Sequence, residues 1–320
     1  CVTICDASNQ WPNHDISTLK LLQIVHRHGD RTAKDFAPND PFDSEVFWPE
    51  GDGKLTTAGK YRMYKMGEFL RQEYGPYFGD QYSPREVYAR SAAADRCLES
   101  VANLLAGAYP PKQTQWQWNK GSDASLGRLW QPIPINTVLD KKEDRLLDDK
   151  YDCPAVDKEL EKIYNTNVIR KFLEENKQLY KKLSEIVGQE IKDISTATQL
   201  YEILKIELEH NYYWNTSEWS VEEEKQMVDQ LSHSQLMQMR YEWDSPIIRR
   251  LKSGALIQEL NTNFNKVLKN KKKNLKLYVY STHHSEVGGL MHAYNVYNNL
   301  DLPYGTAVLL ELHQNPSKDY

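Results

Sequence analysis

The stretch VHRHGDRTA, Val25–Ala33, gathers two histidines and two arginines around one glycine, directly after the apolar run LKLLQIV of Leu19–Val25. A short run of leucine and β-branched residues bounded by polar ones reads as a buried strand, so the charged stretch falls in the turn that leaves it. Working outward, NLKLYVYST, Asn274–Thr282, is a second strand candidate, and it also stops at histidines, His283 and His284. TTAGKYRMYKMGEFLRQEYG, Thr56–Gly75, sets Tyr61, Tyr64, Met66 and Phe69 at near-helical spacing behind a threonine cap and predicts a helix ending at Gly75. EVYARSAAADRCLESVANLLAGAYPP, Glu86–Pro111, reads as strand, polar turn and a helix stopped by Pro110 and Pro111. From about Val156 to Leu268 the pattern changes to long charged helices, and GTAVLLELH, Gly305–His313, returns to strand.

This order predicts an α/β fold: a mainly parallel central sheet flanked by helices, with an α-helical cap lobe built from the middle of the chain. The expected boundaries are 1–120 and 250–320 for the core and 121–249 for the inserted cap. Open α/β sheets bind ligands beyond the carboxyl ends of their strands, which makes the turns at Arg27–Arg31 and His283–Ser285 candidate walls of one site.

Composition narrows the classes. A chain of 320 residues with 40% hydrophobic and 27% charged residues can bury a large core and is neither disordered nor collagen-like. Its net charge of -5 argues against a general nucleic-acid binder, which needs excess cations to displace counterions. The basic run KVLKNKKKNLK, Lys266–Lys276, reads as a solvated helix end. No stretch approaches the ~20 apolar residues of a membrane span. The chain opens on Cys1 rather than Met, as a processed secreted protein would, and NTS at Asn215 is a glycosylation sequon; both point to an extracellular protein. Cys1, Cys5, Cys97 and Cys153 lack paired zinc-site spacing, so one or two disulfides are expected, with no pairing readable. Neither metal nor cofactor is expected.

Two arginines about a histidine can hold a phosphate by bidentate, charge-assisted bonds while a neutral imidazole attacks phosphorus. Arg27, His28 and Arg31 fill these roles, Arg90 at the end of EVYAR is the third candidate phosphate ligand, and His283 could donate to a phosphoryl oxygen. The plain alternative is a polar turn whose arginines pair with Asp30, Asp35 or Asp95.

RHGDRT and YSTHHSEV resemble the RHGxRxP and YSxHDxxV signatures of the histidine acid phosphatases, and WQPIPINTV, DCP, HNYYW and LPYGTAVLLEL follow in that family's order. The resemblance implies that His28 is the phosphohistidine nucleophile, that Arg27, Arg31 and Arg90 bind phosphate, and that His283 contacts the phosphoryl group without a metal. The chain departs from the pattern at the next residue, where His284 replaces the aspartic acid that protonates the leaving alcohol. Loss of a general acid costs 10²- to 10⁴-fold in rate while leaving phosphate binding intact. Glu286 could reach inward but at the wrong spacing, Ala33 replaces the motif proline, and Asn136 stands where the family commonly has histidine. Within that family the sequence is similar to the acid-phosphatase-like proteins of flea saliva, in which lost catalytic residues accompany capture of host biogenic amines and leukotrienes.

The expectation is therefore a secreted protein of phosphatase fold with impaired turnover that sequesters small mediators such as serotonin or leukotrienes. Arg27, His28, Arg31, Arg90, His283 and His284 would line its site, Glu286 and Asp35 would be counter-ions for an amine, and Tyr201 and Trp214 would be candidate walls. The alternative is an active acid phosphatase working through His28.

Overall fold

A computed structural model describes the backbone of 2–4 and residues 15–111, 130–148, 152–214, 219–269 and 274–314. Cys1, Cys5, the sequon at Asn215 and the middle of the basic run lie outside the described residues. In chain order the elements are β1 (Val2–Ile4), β2 (Leu19–Arg27), α1 (Thr57–Phe78), β3 (Val87–Ser91), α2 (Asp95–Ala108), β4 (Ile135–Thr137), α3 (Pro154–Tyr164), α4 (Asn167–Val187), α5 (Ile194–Glu209), α6 (Val221–Asp244), α7 (Pro246–Ile248), α8 (Gly254–Leu268), β5 (Leu277–Thr282), α9 (His284–Ala293) and β6 (Ala307–His313).

The sheet runs β1-β6-β2-β5-β3-β4. Strands β2, β5, β3 and β4 are mutually parallel, and β6 and β1 add an antiparallel edge, so the mainly parallel sheet expected from the sequence is present. β2 and β5 are its centre. Every residue of β5 is buried and all of β2 except Lys20, which is why both read as continuous apolar runs. One face packs on α1 and α2 through Leu22, Ile24, Met63, Leu70, Leu104 and Val279. The other packs on α8 and α9 through Leu21, Val25, Leu256, Leu260, Val287 and Leu290.

Thr56 caps α1 as expected, its hydroxyl accepting from Gly59 N at 3.1 Å, but the helix does not stop at Gly75. It continues through Pro76 to Phe78 because Tyr74 and Phe78 are buried, Phe78 stacking on Tyr109, and Gly79 at φ 72° ends it. Apolar packing outweighs the one N–H that Pro76 lacks.

Helices α4, α5 and the first half of α6 enclose a cluster of their own, built on Tyr180, Leu183, Leu200, Leu204, Trp214, Trp219 and Leu231. α5 and α6 both open on capping boxes, Asp193 with Thr196 and Ser220 with Glu223. β4 lies inside the 121–249 range expected to be cap yet is a strand of the sheet, and Trp243 of α6 and Val156 of α3 belong to the sheet-side cluster. Cap and core are also tied by the loop after the RHGDRT motif: Asn39 donates to Ile186 O at 2.9 Å, and Phe42, Phe47 and Trp48 pack on Tyr212. Among the described residues Cys97 and Cys153 are free thiols, Cys97 buried within α2. Within the same residues no helix is long and apolar enough to cross a membrane.

Candidate active site

β2 and β5 are parallel neighbours in a register that pairs Arg27 with Thr282, so the turns leaving them abut. His28 N donates to Thr282 O at 3.0 Å, and the N-terminal half of α2 closes the third side, Gly29 N donating to Ser100 Oγ at 2.9 Å. Gly29 is required by close approach: a Cβ there would stand 2.7 Å from Gly59 O of α1. The arrangement is the one anticipated for ligand sites at the carboxyl edge of an open sheet.

His28 is buried and its Nδ1 lies 2.8 Å from Gly29 O. A carbonyl only accepts, so Nδ1 carries the proton and Nε2 presents its lone pair. Burial first, then Arg27, Arg96, His283 and Arg31, depress its pKa well below the ordinary imidazole value, which favours the neutral, nucleophilic ring. His283 caps the start of α9, its ring 5.6 Å edge-on from that of His28. Arg96 Nη2 is 3.4 Å from His283 Nδ1, and Asp148 Oδ2 is 4.0 Å from its Nε2. Burial and Arg96 likewise push the pKa of His283 well down.

Three guanidinium groups surround His28, but they are not the expected three. Arg27 is buried under the Tyr304 ring, 4.1 Å from Cζ to centroid, and donates to Leu302 O. Arg31 is also buried, donating to Thr32 O at 3.1 Å. The third is Arg96, in the first turn of α2. Arg90 is held elsewhere, its Nη2 2.7 Å from the buried carboxylate of Asp144. β3 continues to Ser91, so Arg90 projects sideways from the strand, whereas a side chain in the first turn of a helix leans back toward the turn that precedes it. The sequence signal that marks it is the DR pair opening the helix, Asp95–Arg96.

A family model described as the histidine phosphatase superfamily (branch 2) matches residues 18–320. The chain belongs to the histidine phosphatase superfamily, branch 2. It is 34% identical over 299 residues to the prostatic acid phosphatase of Rattus norvegicus, covering 93% of this chain and 75% of the relative. It is 29% identical over 309 residues to a venom acid phosphatase of Apis mellifera, covering 94% and 76%. The phytase of Klebsiella sp ASR1 shares the fold at a TM-score of 0.66 and 15% identity, over 94% of this chain and 80% of that one.

Beside the imidazole and arginine cluster, between sheet edge and cap, lies a cleft that is open to solvent. The core lines it with Arg27, His284, Asp301 and Tyr304, and the cap with Tyr201, Glu202, Lys205, Ile206 and Gln235. His284 opens α9 and faces this cavity. Glu286 does not: its Oε2 accepts from Thr282 Oγ1 at 3.2 Å and Ser285 Oγ at 3.0 Å, the geometry of a carboxylate folded back on its own helix start. Asp35 is also elsewhere, its side chain 82% exposed and 3.9 Å from Lys34, so neither expected counter-ion reaches the cavity. Two unforeseen carboxylates do. Glu202 Oε2 is 2.9 Å from Arg31 Nη2, and Asp301 Oδ2 accepts from Lys205 at 2.7 Å and Tyr201 at 3.2 Å. Burial opposes the charge on Glu202, but Arg31, His284 and Arg27 outweigh it and hold its carboxyl below the ordinary range. Tyr201 is a wall residue as expected, whereas Trp214 is buried in the cap and donates to Glu207 at 2.7 Å. Asn136 is pinned to the sheet, donating to Ala89 O at 2.9 Å. Among the described residues no group of three or more His, Cys, Asp or Glu side chains is disposed to hold a metal ion.

Proposed function

We propose that this protein is a secreted, acid-phosphatase-like binder that holds small mediators, aromatic amines such as serotonin and lipid carboxylates such as leukotrienes, and turns over phosphomonoesters poorly. One observation carries the reading: an imidazole, His284, occupies the cavity position where the family signature places a carboxylic acid, and that cavity is furnished with Tyr201, Tyr304, Glu202 and Asp301. In phosphomonoester hydrolysis His28 Nε2 would attack phosphorus, Arg27, Arg31 and Arg96 would take the charge on the equatorial oxygens, and His283 would donate to one of them. The P–O bond to the alcohol then breaks only as fast as the departing oxygen is protonated. Without a carboxylic acid there, binding outlasts chemistry. An ammonium group finds carboxylates and tyrosine faces in the same cleft, and a lipid carboxylate finds Arg27 and Lys205. The venom acid phosphatase relative supports an extracellular setting.

Calorimetry with serotonin and a cysteinyl leukotriene, beside a chromogenic phosphomonoester assayed at about pH 5, tests this. Binding of at least one mediator is expected, with slow turnover that His284→Asp raises by about 100-fold. No binding of either, together with wild-type turnover that His284→Asp leaves unchanged, defeats the reading. The bond from His28 Nδ1 to Gly29 O favours a second reading, a working phosphatase that proceeds through phosphohistidine. Under it the wild type hydrolyses efficiently and only His28→Ala abolishes release of phosphate.

A further inference from the structure

We infer that Glu202 sets the charge preference at Arg31, selecting against phosphate there and for cationic ligands beside it. Its carboxylate comes from α5 of the cap and lies 2.9 Å from Arg31, one of the three arginines around His28. A phosphate entering this cluster must either displace Glu202 from Arg31 or share the guanidinium with a second anion. Both cost affinity, since like charges in a poorly hydrated cleft repel more strongly than in water. The cap thus supplies an intramolecular anion where the phosphatase chemistry calls for an external one.

The same carboxylate improves the cavity for a ligand that donates hydrogen bonds. Gln235 of α6 lines the cavity, is 5% exposed, and its Oε1 finds no hydrogen-bond partner among the described residues. A buried acceptor left open is costly unless a ligand fills it, so this atom points to an N–H or O–H donor rather than to an anion. Glu202, Gln235 and the rings of Tyr201 and Tyr304 together suit an aromatic ammonium compound. Only this amine half of the inference rests on the function proposed above; the phosphate half rests on the Arg31–Glu202 pair.

Glu202→Gln keeps the shape and removes the charge. Calorimetry with inorganic phosphate should show binding tightened about tenfold or more, and with serotonin weakened by a similar factor. Glu202→Asp, which keeps the charge but shortens the reach to Arg31, should tighten phosphate binding by less and guards against a variant that fails to fold. Unchanged phosphate affinity in a folded Glu202→Gln protein overturns the inference. Failure of serotonin to bind the wild type removes the amine reading alone, and the phosphate titration still decides the role of Glu202.

Discussion

At the scale of the residue, the site is decided by which arginine a strand or helix aims at His28. Arg90 and Arg96 are six positions apart in sequence numbering and entirely different in environment: one is paired with Asp144 on the strand, the other leans from α2 onto His283. The two substitutions therefore separate. Arg96→Gln should weaken inorganic phosphate binding about tenfold or more, since hydrogen bonds to charged groups contribute roughly 1.5–3 kcal/mol. Arg90→Gln should leave that affinity alone and cost roughly 3 kcal/mol of stability, because it removes the cation from the fully buried carboxylate of Asp144 and leaves it only the backbone N–H groups of Leu146 and Leu147. Paired urea melts and phosphate titrations check both; loss of phosphate binding in Arg90→Gln with Arg96→Gln unaffected would reverse the assignment.

At the scale of the element, the site depends on how closely α1 and α2 lie. A Cβ on Gly67 would stand 2.0 Å from Leu104 O, and one on Gly107 would stand 2.2 Å from Tyr64 O, so the two helices touch backbone to backbone. Gly107→Ala should destabilise the protein by about 1–3 kcal/mol, the range for forcing volume into a packed core. The N-terminal ends of these helices hold Gly29 and carry Arg96, so the same variant should also weaken phosphate binding. A urea melt checks the first effect and calorimetry the second. α5 is positioned differently, by a capping box at Asp193 and by Leu200 and Leu204 in the cap cluster, which leaves Tyr201, Glu202 and Lys205 on the side that meets the core.

At the scale of the whole molecule, buried titrating groups on both sides of the cleft set the pH range of stability. Glu207 of α5 is fully buried and shares a hydrogen bond with Asp40 of the loop after the motif; burial first, then the charge of Asp40, pushes its pKa up to about 9. Between about pH 4.5 and 9 the native state keeps a proton that the unfolded chain has released, so stability falls as pH rises. Three buried histidines act in the opposite sense. Burial lowers His26 to about 4, and burial with the neighbouring cations lowers His28 and His283 well below 6.5, so below pH 6.5 the unfolded chain binds protons that the native state refuses. Stability should therefore peak near pH 6.5, declining on the alkaline side by roughly 1.4 kcal/mol per pH unit for each proton. Thermal melts from pH 4 to 9 test this, and Glu207→Gln should flatten the alkaline limb while leaving the acid limb. An alkaline limb as steep in Glu207→Gln as in the wild type would remove Glu207 from the account.

By itself the sequence determined the parallel strands β2 and β5, the two motif turns at their ends, α1 and α2, and the presence of His284 where a carboxylic acid belongs. These are local signals: apolar runs buried on both faces, caps, proline stops and short motifs whose side chains act close to where they are written. The range of α1 beyond Gly75, the exchange of Arg90 for Arg96, and the withdrawal of Asp35 and Glu286 were decided by packing and by competing partners. Glu202, Lys205, Gln235 and Asp301 reach the cleft from α5, α6 and the loop before β6, segments whose polar residues look alike in one dimension. Which of them turn inward depends on the angle at which the cap docks on the sheet, and only the tertiary structure sets that angle, through contacts between residues far apart in the chain.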